Sequence, residues 1–192
     1  MAFIELPTDA ELPEVCASDR ERFGYVPNLA RVFALRPDAY AAWRQLNGAI
    51  KVAMDERRYE LATIAAARTL RSSYCSLAHG KVLVDKFYTP AEVSAIAAGR
   101  EPECLDEVDR AVMDFAVKVT ADATSVTEED VDRLRSLGLS DADVVDVVLA
   151  ATARCFFSKT LDALGVQPDA AYLALDAELR ETLTVGRPIE RA

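Results

Sequence analysis

The sequence lacks the residue patterns of the common metal, disulfide and nucleotide sites. It contains one histidine and four widely separated cysteines, Cys16, Cys75, Cys104 and Cys155. No Cys-x-x-Cys pair occurs, although zinc sites and thiol redox motifs commonly use that spacing. A glycine-rich phosphate-binding loop is also missing. We therefore expect no metal and no cofactor, and at least one cysteine that is free to react.

Basic segments and long apolar runs are missing as well. The 192 residues carry 22 Lys and Arg against 32 Asp and Glu, which gives a formal charge of -10. Nucleic acid or an anionic membrane surface would repel such a chain. The N-terminus has no basic segment followed by an apolar run, and no stretch approaches about 18 uninterrupted apolar residues. We expect a cytoplasmic protein without nucleic-acid or membrane partners.

The apolar residues are spaced for helices, and alternating strand patterns are nearly absent. Apolar side chains recur at intervals of three and four residues, which predicts an all-α protein. Residues 1–30 are punctuated by proline and are expected to form an irregular arm. The expected helices span about 37–49, 55–70, 73–87, 90–98, 105–121, 128–137, 141–164 and 169–183.

Capping signals mark several of these helix ends. Thr89-Pro90-Ala91-Glu92 combines an N-cap, a proline in the first helical position and a capping-box glutamate, and Gly99 stands where that helix should stop. Asn28, which follows Pro27, is a plausible cap for a short turn. Four further residues are predicted to cap helix ends: Thr127, Ser140, Gly138 and Gly165.

The chain carries a faint internal repeat at a shift of 86 residues. The spacing from Glu60 to Arg68 recurs from Asp146 to Arg154. This pattern predicts one domain over residues 1–192, in which a half at 31–100 and a half at 101–192 pack about a pseudo-twofold axis. Chance similarity between two alanine-rich helices is an equal alternative. The second copy lacks the reactive residues of the first, so thiol chemistry is expected in the first half.

Cys75 and His79 are the pair most suited to chemistry. Residues four apart share one face of a helix, so the thiol and the imidazole are expected within hydrogen-bonding reach. An ordinary thiol is mostly protonated at neutral pH, and an imidazole can take its proton. Glu60 interrupts an otherwise apolar helix, where a buried carboxylate needs a partner. The alternatives are a structural buried cysteine and a surface glutamate.

Glu60, Cys75 fifteen residues later and His79 four residues beyond resemble the alkylhydroperoxidase D signature, Glu…Cys-x-x-Cys-x-x-x-His. The chain is thereby identified as similar to the peroxidase-related branch of the alkylhydroperoxidase D and carboxymuconolactone decarboxylase family. The resemblance covers nearly the whole chain through these segments: Gly24-Tyr25-Val26-Pro27-Asn28, Tyr74-Cys75, Thr89-Pro90-Ala91-Glu92-Val93, Ser125-Val126-Thr127 and Leu164-Gly165-Val166.

The resemblance implies a fold, an activity and roles for individual residues. The fold would be an alkylhydroperoxidase D-like helical bundle, assembled as a closed homo-oligomer. Cys75 would attack a hydroperoxide, His79 would be its base, and Glu60 would orient and charge His79. An external thiol or dithiol would be the reductant. Tyr74 would support the site, and a polar or water-filled pocket is expected beside Glu60 and His79.

The sequence departs from the family pattern at the resolving cysteine, which is replaced by Ser72. A sulfenic acid on Cys75 then has no thiol partner at the usual position. Either an external thiol completes the cycle, or another cysteine does so, or peroxidase activity is lost. Cys155 is the main internal candidate, because the repeat places its helix beside the active one; Cys16 and Cys104 remain open.

Two other functions remain open at this stage. Carboxymuconolactone decarboxylases share the fold but do not rely on a catalytic thiol, and they need cations for a carboxylate substrate. Arg68 and Arg71 are available, although arginine on a helix is usually a surface ion-pair former. The third option is a non-catalytic helical oligomer that retains the family pocket.

Overall fold

The computed structural model describes residues 2–100 and 103–191, which form α-helices and short 3₁₀ turns with no β-strand among them. The all-α prediction is confirmed. Within those ranges no helix is long and apolar enough to cross a lipid bilayer. The helices are α1 Ala17–Phe23, α2 Asn28–Phe33, α3 Pro37–Ala53, α4 Glu56–Thr69, α5 Ser73–Lys86, α6 Pro90–Ala97, α7 Glu107–Asp122, α8 Glu128–Ser136, α9 Asp141–Ala163 and α10 Ala177–Leu183.

The predicted irregular arm is wrong in part, because residues 1–30 contain α1 and the start of α2. These helices are held by burial of Cys16, Ala30 and Phe33 in the core. Asn28 begins α2 instead of capping it, and its backbone N–H donates to Asp169 Oδ1 at 2.8 Å. The first turn of α2 is therefore capped by Asp169, which lies 141 residues further along the chain.

The helix predicted over 169–183 is divided in the structure. A 3₁₀ turn covers Ala170–Ala174, and α10 begins only after Asp176, whose side chain accepts from Leu179 N–H at 3.0 Å. The aspartate N-cap is the physical reason for the break, since it satisfies the first free N–H groups of a new helix.

Apart from Asn28, the predicted capping signals are confirmed. Thr89 N–H donates to the Glu92 carboxylate at 2.7 Å, and the Glu92 N–H donates back to the threonine hydroxyl at 3.3 Å. Thr127 and Ser140 are the N-cap residues of α8 and α9. The three predicted C-terminal glycines all have positive φ angles, which side chains disfavour: Gly99, Gly138 and Gly165.

Helix α4 lies at the centre of the molecule and packs against α5, α7 and α9. Every residue from 59 to 67 is buried, and apart from Glu60 and Thr63 this stretch presents apolar or aromatic side chains on all faces. Leu61 and Ile64 join one hydrophobic cluster, and Ala62 and Ala66 join the other. Contacts on all sides hold α4 in one orientation.

A buried ion pair fixes the N-terminal end of α4. Asp109 of α7 is fully buried and accepts from Arg57 Nη2 at 3.1 Å and from Arg58 Nε at 3.3 Å. Arg57 also donates to the Tyr88 hydroxyl at 2.8 Å. Loss of one partner from a buried pair of this kind typically costs about 3–5 kcal/mol. The pair therefore holds the first turn of α4, next to Glu60, against α7.

Candidate active site

The turn between α4 and α5 places Cys75 in the first turn of a helix. Arg71 adopts a left-handed conformation with φ 55°, and Ser72 N–H donates to Ala67 O at 2.9 Å. Ser72 is the N-cap residue of α5, so Cys75 is the third helical residue. The free N–H groups and the helix dipole at this end favour negative charge on the thiol.

Glu60 of α4 and His79 of α5 form a hydrogen-bonded pair, as the sequence predicted. His79 Nδ1 lies 2.6 Å from Glu60 Oε2 and 3.2 Å from the Thr63 hydroxyl. The Thr63 hydroxyl donates to the Tyr59 carbonyl at 2.7 Å, so it is not free to donate to the ring. Because a carboxylate only accepts, Nδ1 carries the proton and donates it to Glu60.

Lys51 of α3 completes the surroundings of Glu60. Its ammonium lies 2.8 Å from Glu60 Oε1 and 3.2 Å from Glu56 Oε1. Burial raises the pKa of Glu60, but His79 and Lys51 outweigh burial and lower that pKa to about 2. Glu60 is therefore an anion at neutral pH, although only 1% of its surface is exposed.

Arg154 of α9 lies between His79 and Cys75. Its Nη1 is 3.0 Å from His79 Nε2 and 3.8 Å from Cys75 Sγ, and its Nη2 donates to Asn47 Oδ1 at 3.3 Å. A guanidinium only donates, so Nε2 of His79 is an acceptor and the ring is neutral. Burial lowers the pKa of His79, attraction to Glu60 opposes this, and the charge of Arg154 adds to the lowering.

The predicted direct contact between Cys75 and His79 does not form among the described contacts. Arg154 occupies the acceptor nitrogen of the ring and stands next to the sulfur instead. His79 therefore has no free lone pair with which to take the thiol proton. The predicted role of His79 as the base for Cys75 is not supported by this geometry, whereas its predicted pairing with Glu60 is confirmed.

The thiol and the neighbouring imidazole are largely shielded from solvent. Cys75 is 1% exposed, and 12% of the His79 side chain reaches solvent. The rings of Trp43 and Phe157 cover the Arg154 guanidinium, with centroids 5.3 and 5.2 Å from its carbon. These cation–π contacts shield the guanidinium from solvent.

All four cysteines are free thiols in the described part of the chain, and none of them is joined to Cys75 by a disulfide. Cys155 is partly buried on α9. Helix α9 contacts α5, the helix that carries Cys75, as predicted. The neighbouring residue Arg154 is the one that reaches the thiol. Cys16 is buried with its sulfur 3.7 Å from Ala30 O, and Cys104 is partly exposed.

Tyr74 and Arg68 have hydrogen-bond partners elsewhere in the fold, and Arg71 has a role in the backbone turn. The Tyr74 hydroxyl donates to Asp169 and accepts from Leu29 N–H at 3.3 Å. Arg68 Nη1 donates to Thr182 O at 2.6 Å, and Arg71 forms the left-handed turn after α4. Residues 2–100 and 103–191 bring together no group of three histidine, cysteine or acidic side chains that could hold a metal ion.

Sequence reasoning missed Arg154, Lys51 and Asn47. A signal for Arg154 was present, because it interrupts the buried face of α9 as Glu60 interrupts α4. The buried residues of α9 include Val147, Ala150, Ala151, Arg154, Phe157 and Leu161. Arg154 also stands at the repeat position of Arg68. No comparable signal marked Lys51 or Asn47.

Comparisons with known proteins agree with this architecture. Residues 37–118, which include Glu60, Cys75 and His79, match the model of the carboxymuconolactone decarboxylase family. A search of curated protein sequences gives no significant match.

Solved structures share the fold over most of the chain. The alkylhydroperoxidase AhpD core of an uncharacterized peroxidase-related protein from Ralstonia eutropha JMP134 is 23% identical, with a TM-score of 0.80 over 97% of this chain and 98% of the other. An uncharacterized peroxidase-related protein from Silicibacter sp. TM1040 is 22% identical, with a TM-score of 0.81 over 90% and 94%.

A third solved structure is a cysteine-to-alanine variant of the debrominase Bmp8 in complex with 2,3,4-tribromopyrrole. It is 16% identical, with a TM-score of 0.73 over 93% of this chain and 94% of the other. Residues 37–118 are therefore similar to the carboxymuconolactone decarboxylase family. The chain as a whole has the alkylhydroperoxidase D-like fold.

Proposed function

We propose that this protein is a thiol-dependent oxidoreductase that reduces hydroperoxides through Cys75. The observation that carries the proposal is the position of the Cys75 sulfur, in the first turn of α5 and 3.8 Å from the Arg154 guanidinium. Both features favour a thiolate, which is the nucleophilic form of cysteine. The family match of residues 37–118 and the shared fold support the coarser proposal of an alkylhydroperoxidase-like redox protein.

The reaction begins with attack of the Cys75 thiolate on the terminal oxygen of a hydroperoxide, ROOH. A sulfur–oxygen bond forms and the oxygen–oxygen bond breaks, which gives a cysteine sulfenic acid and an alkoxide. The alkoxide takes a proton from water and leaves as an alcohol. The Arg154 guanidinium lies beside this point and stabilises the negative charge as it moves from sulfur to oxygen.

An external thiol then completes the cycle. It displaces water from the sulfenic acid to form a mixed disulfide, and a second thiol releases Cys75 and leaves as a disulfide. This route takes the place of an internal resolving step, because Ser72 stands at the position of the resolving cysteine and Cys155 forms no disulfide with Cys75. Glu60 and His79 act by positioning the guanidinium.

Stopped-flow measurement with hydrogen peroxide, cumene hydroperoxide and a thiol or dithiol reductant tests the proposal. We expect turnover in the wild type, loss of turnover in Cys75→Ser and little change in Cys155→Ser. Ser72→Cys should raise turnover with a dithiol, because it restores a thiol one helical turn before Cys75. No oxidation of Cys75 by either peroxide would refute the function, and turnover that survives Cys75→Ser would favour a thiol-independent lyase.

A second candidate function is reductive dehalogenation of a small halogenated aromatic. The observation that favours it is the shared fold of the debrominase Bmp8, whose bromopyrrole complex was obtained with a cysteine replaced by alanine. A thiolate can take bromine from carbon while a proton replaces it, and an external thiol can then reduce the sulfenyl bromide to a disulfide and bromide. Bromide release from 2,3,4-tribromopyrrole in the presence of a thiol, and its loss in Cys75→Ser, would distinguish this function.

A further inference from the structure

Arg154 is a buried cation without a carboxylate partner in the described part of the chain. Only 4% of its surface is exposed, and its recorded contacts are to the neutral His79 ring, the neutral Asn47 amide, the Cys75 sulfur and two aromatic rings. Its Nε–H has no hydrogen-bond partner. A buried charge is costly unless an opposite charge accompanies it. A nearby anion would therefore stabilise the buried guanidinium.

The other ionisable groups around the thiol cannot supply that anion. Glu60 of α4 lies on the far side of His79 and is already paired with Lys51 of α3. Burial raises the pKa of Tyr59 of α4, and burial also raises that of Tyr172 in the 3₁₀ turn, so both phenols stay neutral. His79 of α5 has no negative form at ordinary pH. The remaining candidate is the Cys75 sulfur.

We propose that Arg154 is the counter-ion that holds Cys75 as a thiolate, and that His79 is a neutral bridge that positions the guanidinium. The chain of contacts runs from Lys51 through Glu60 and His79 to Arg154 and ends at the sulfur. Glu60 fixes the proton on Nδ1, and this leaves the lone pair on Nε2 for Arg154. The inference rests on the proposed function, since it concerns the same thiol. Its test measures the reactivity of Cys75 and uses no hydroperoxide.

The test is the pH dependence of alkylation of Cys75 by iodoacetamide, followed by mass spectrometry of the peptide that contains it. At pH 7, Arg154→Met should slow alkylation by at least about tenfold, because the charge that stabilises the thiolate is lost. At pH 10 the two rates should converge, since thiols ionise without help there. Arg154→Lys keeps a positive charge and should restore part of the rate at pH 7.

Arg68→Met is the matched control, because Arg68 occupies the equivalent repeat position but contacts Thr182 O and not the thiol. It should leave the pH profile of Cys75 unchanged. His79→Gln, which disturbs the bridge but keeps Arg154, should give a profile between those of the wild type and Arg154→Met. Circular dichroism checks that each variant is folded. If Arg154→Met does not fold, the comparison of Arg154→Lys and His79→Gln with the wild type tests the proposal.

Two outcomes would overturn the assignment. One is an unchanged profile in Arg154→Met, and the other is an equal loss in Arg154→Lys and Arg154→Met, which would indicate a packing role only. Failure of this inference is distinct from failure of the proposed function. A shifted profile without peroxide turnover would keep the counter-ion and reject the peroxidase, whereas peroxide turnover with an unchanged profile in Arg154→Met would keep the peroxidase and reject the counter-ion.

Discussion

Replacement of Glu60 by glutamine should lower the free energy of unfolding by about 2 kcal/mol. Lys51 is one-third exposed and keeps Glu56 at 3.2 Å, so loss of the carboxylate there costs about 0.5–1 kcal/mol. At His79 the glutamine carbonyl can still accept the Nδ1 proton, but the bond loses its charge, which costs about 1–1.5 kcal/mol. For a chain of this length, the sum corresponds to a fall of about 4–8 °C in Tm.

Urea unfolding at pH 7.5 measures this change, with the fluorescence of the sole tryptophan, Trp43, and far-UV circular dichroism as the two probes. Coincident transitions establish that a two-state free energy is meaningful. Glu56→Gln is the control, because this exposed carboxylate shares Lys51 but does not contact His79. If Glu60→Gln were no less stable than Glu56→Gln, the buried pair would not stabilise the fold. The Glu60→Gln effect should also shrink in a His79→Ala background, since the shared contact is already lost.

Three further predictions concern the scaffold and its pH dependence. Asp109→Asn should cost about 3 kcal/mol in urea unfolding, because two arginines then face a buried neutral amide; a loss below about 1 kcal/mol would contradict the anchoring role. Gly80→Ala should cost about 1–3 kcal/mol, because the added Cβ would lie 2.5 Å from Leu183 Cδ1. Gly48→Ala, on an open helix face, should instead raise the free energy of unfolding by about 0.5–1 kcal/mol. If both substitutions changed the free energy of unfolding in the same direction, this reasoning would be refuted. Burial lowers the pKa of His79 in the folded state, so the unfolded chain binds the proton first and stability falls as pH drops below about 6.5. His79→Gln should remove that contribution between pH 5 and 7, and an unaltered pH dependence would argue against a neutral buried ring.

The amino-acid sequence by itself determined the features that arise between near neighbours in the chain. Helix caps such as Thr89 with Glu92 and stops such as Gly99 depend on contacts three or four residues apart, so they can be recognised without a structure. The same holds for the placement of Cys75 at the start of α5. The pairing of Glu60 with His79 was predicted across two adjacent helices that a short turn joins.

Only the tertiary structure decided which groups meet the thiol. Arg154 follows Cys75 by 79 residues, and Lys51 comes to Glu60 from another helix. The spacing of residues along one helix does not say which other helix packs against it. That choice depends on side-chain packing around α4. The expected Cys75 to His79 contact failed for this reason. Helical spacing brings the two residues to one face, but a guanidinium from α9 occupies the space between the sulfur and the ring.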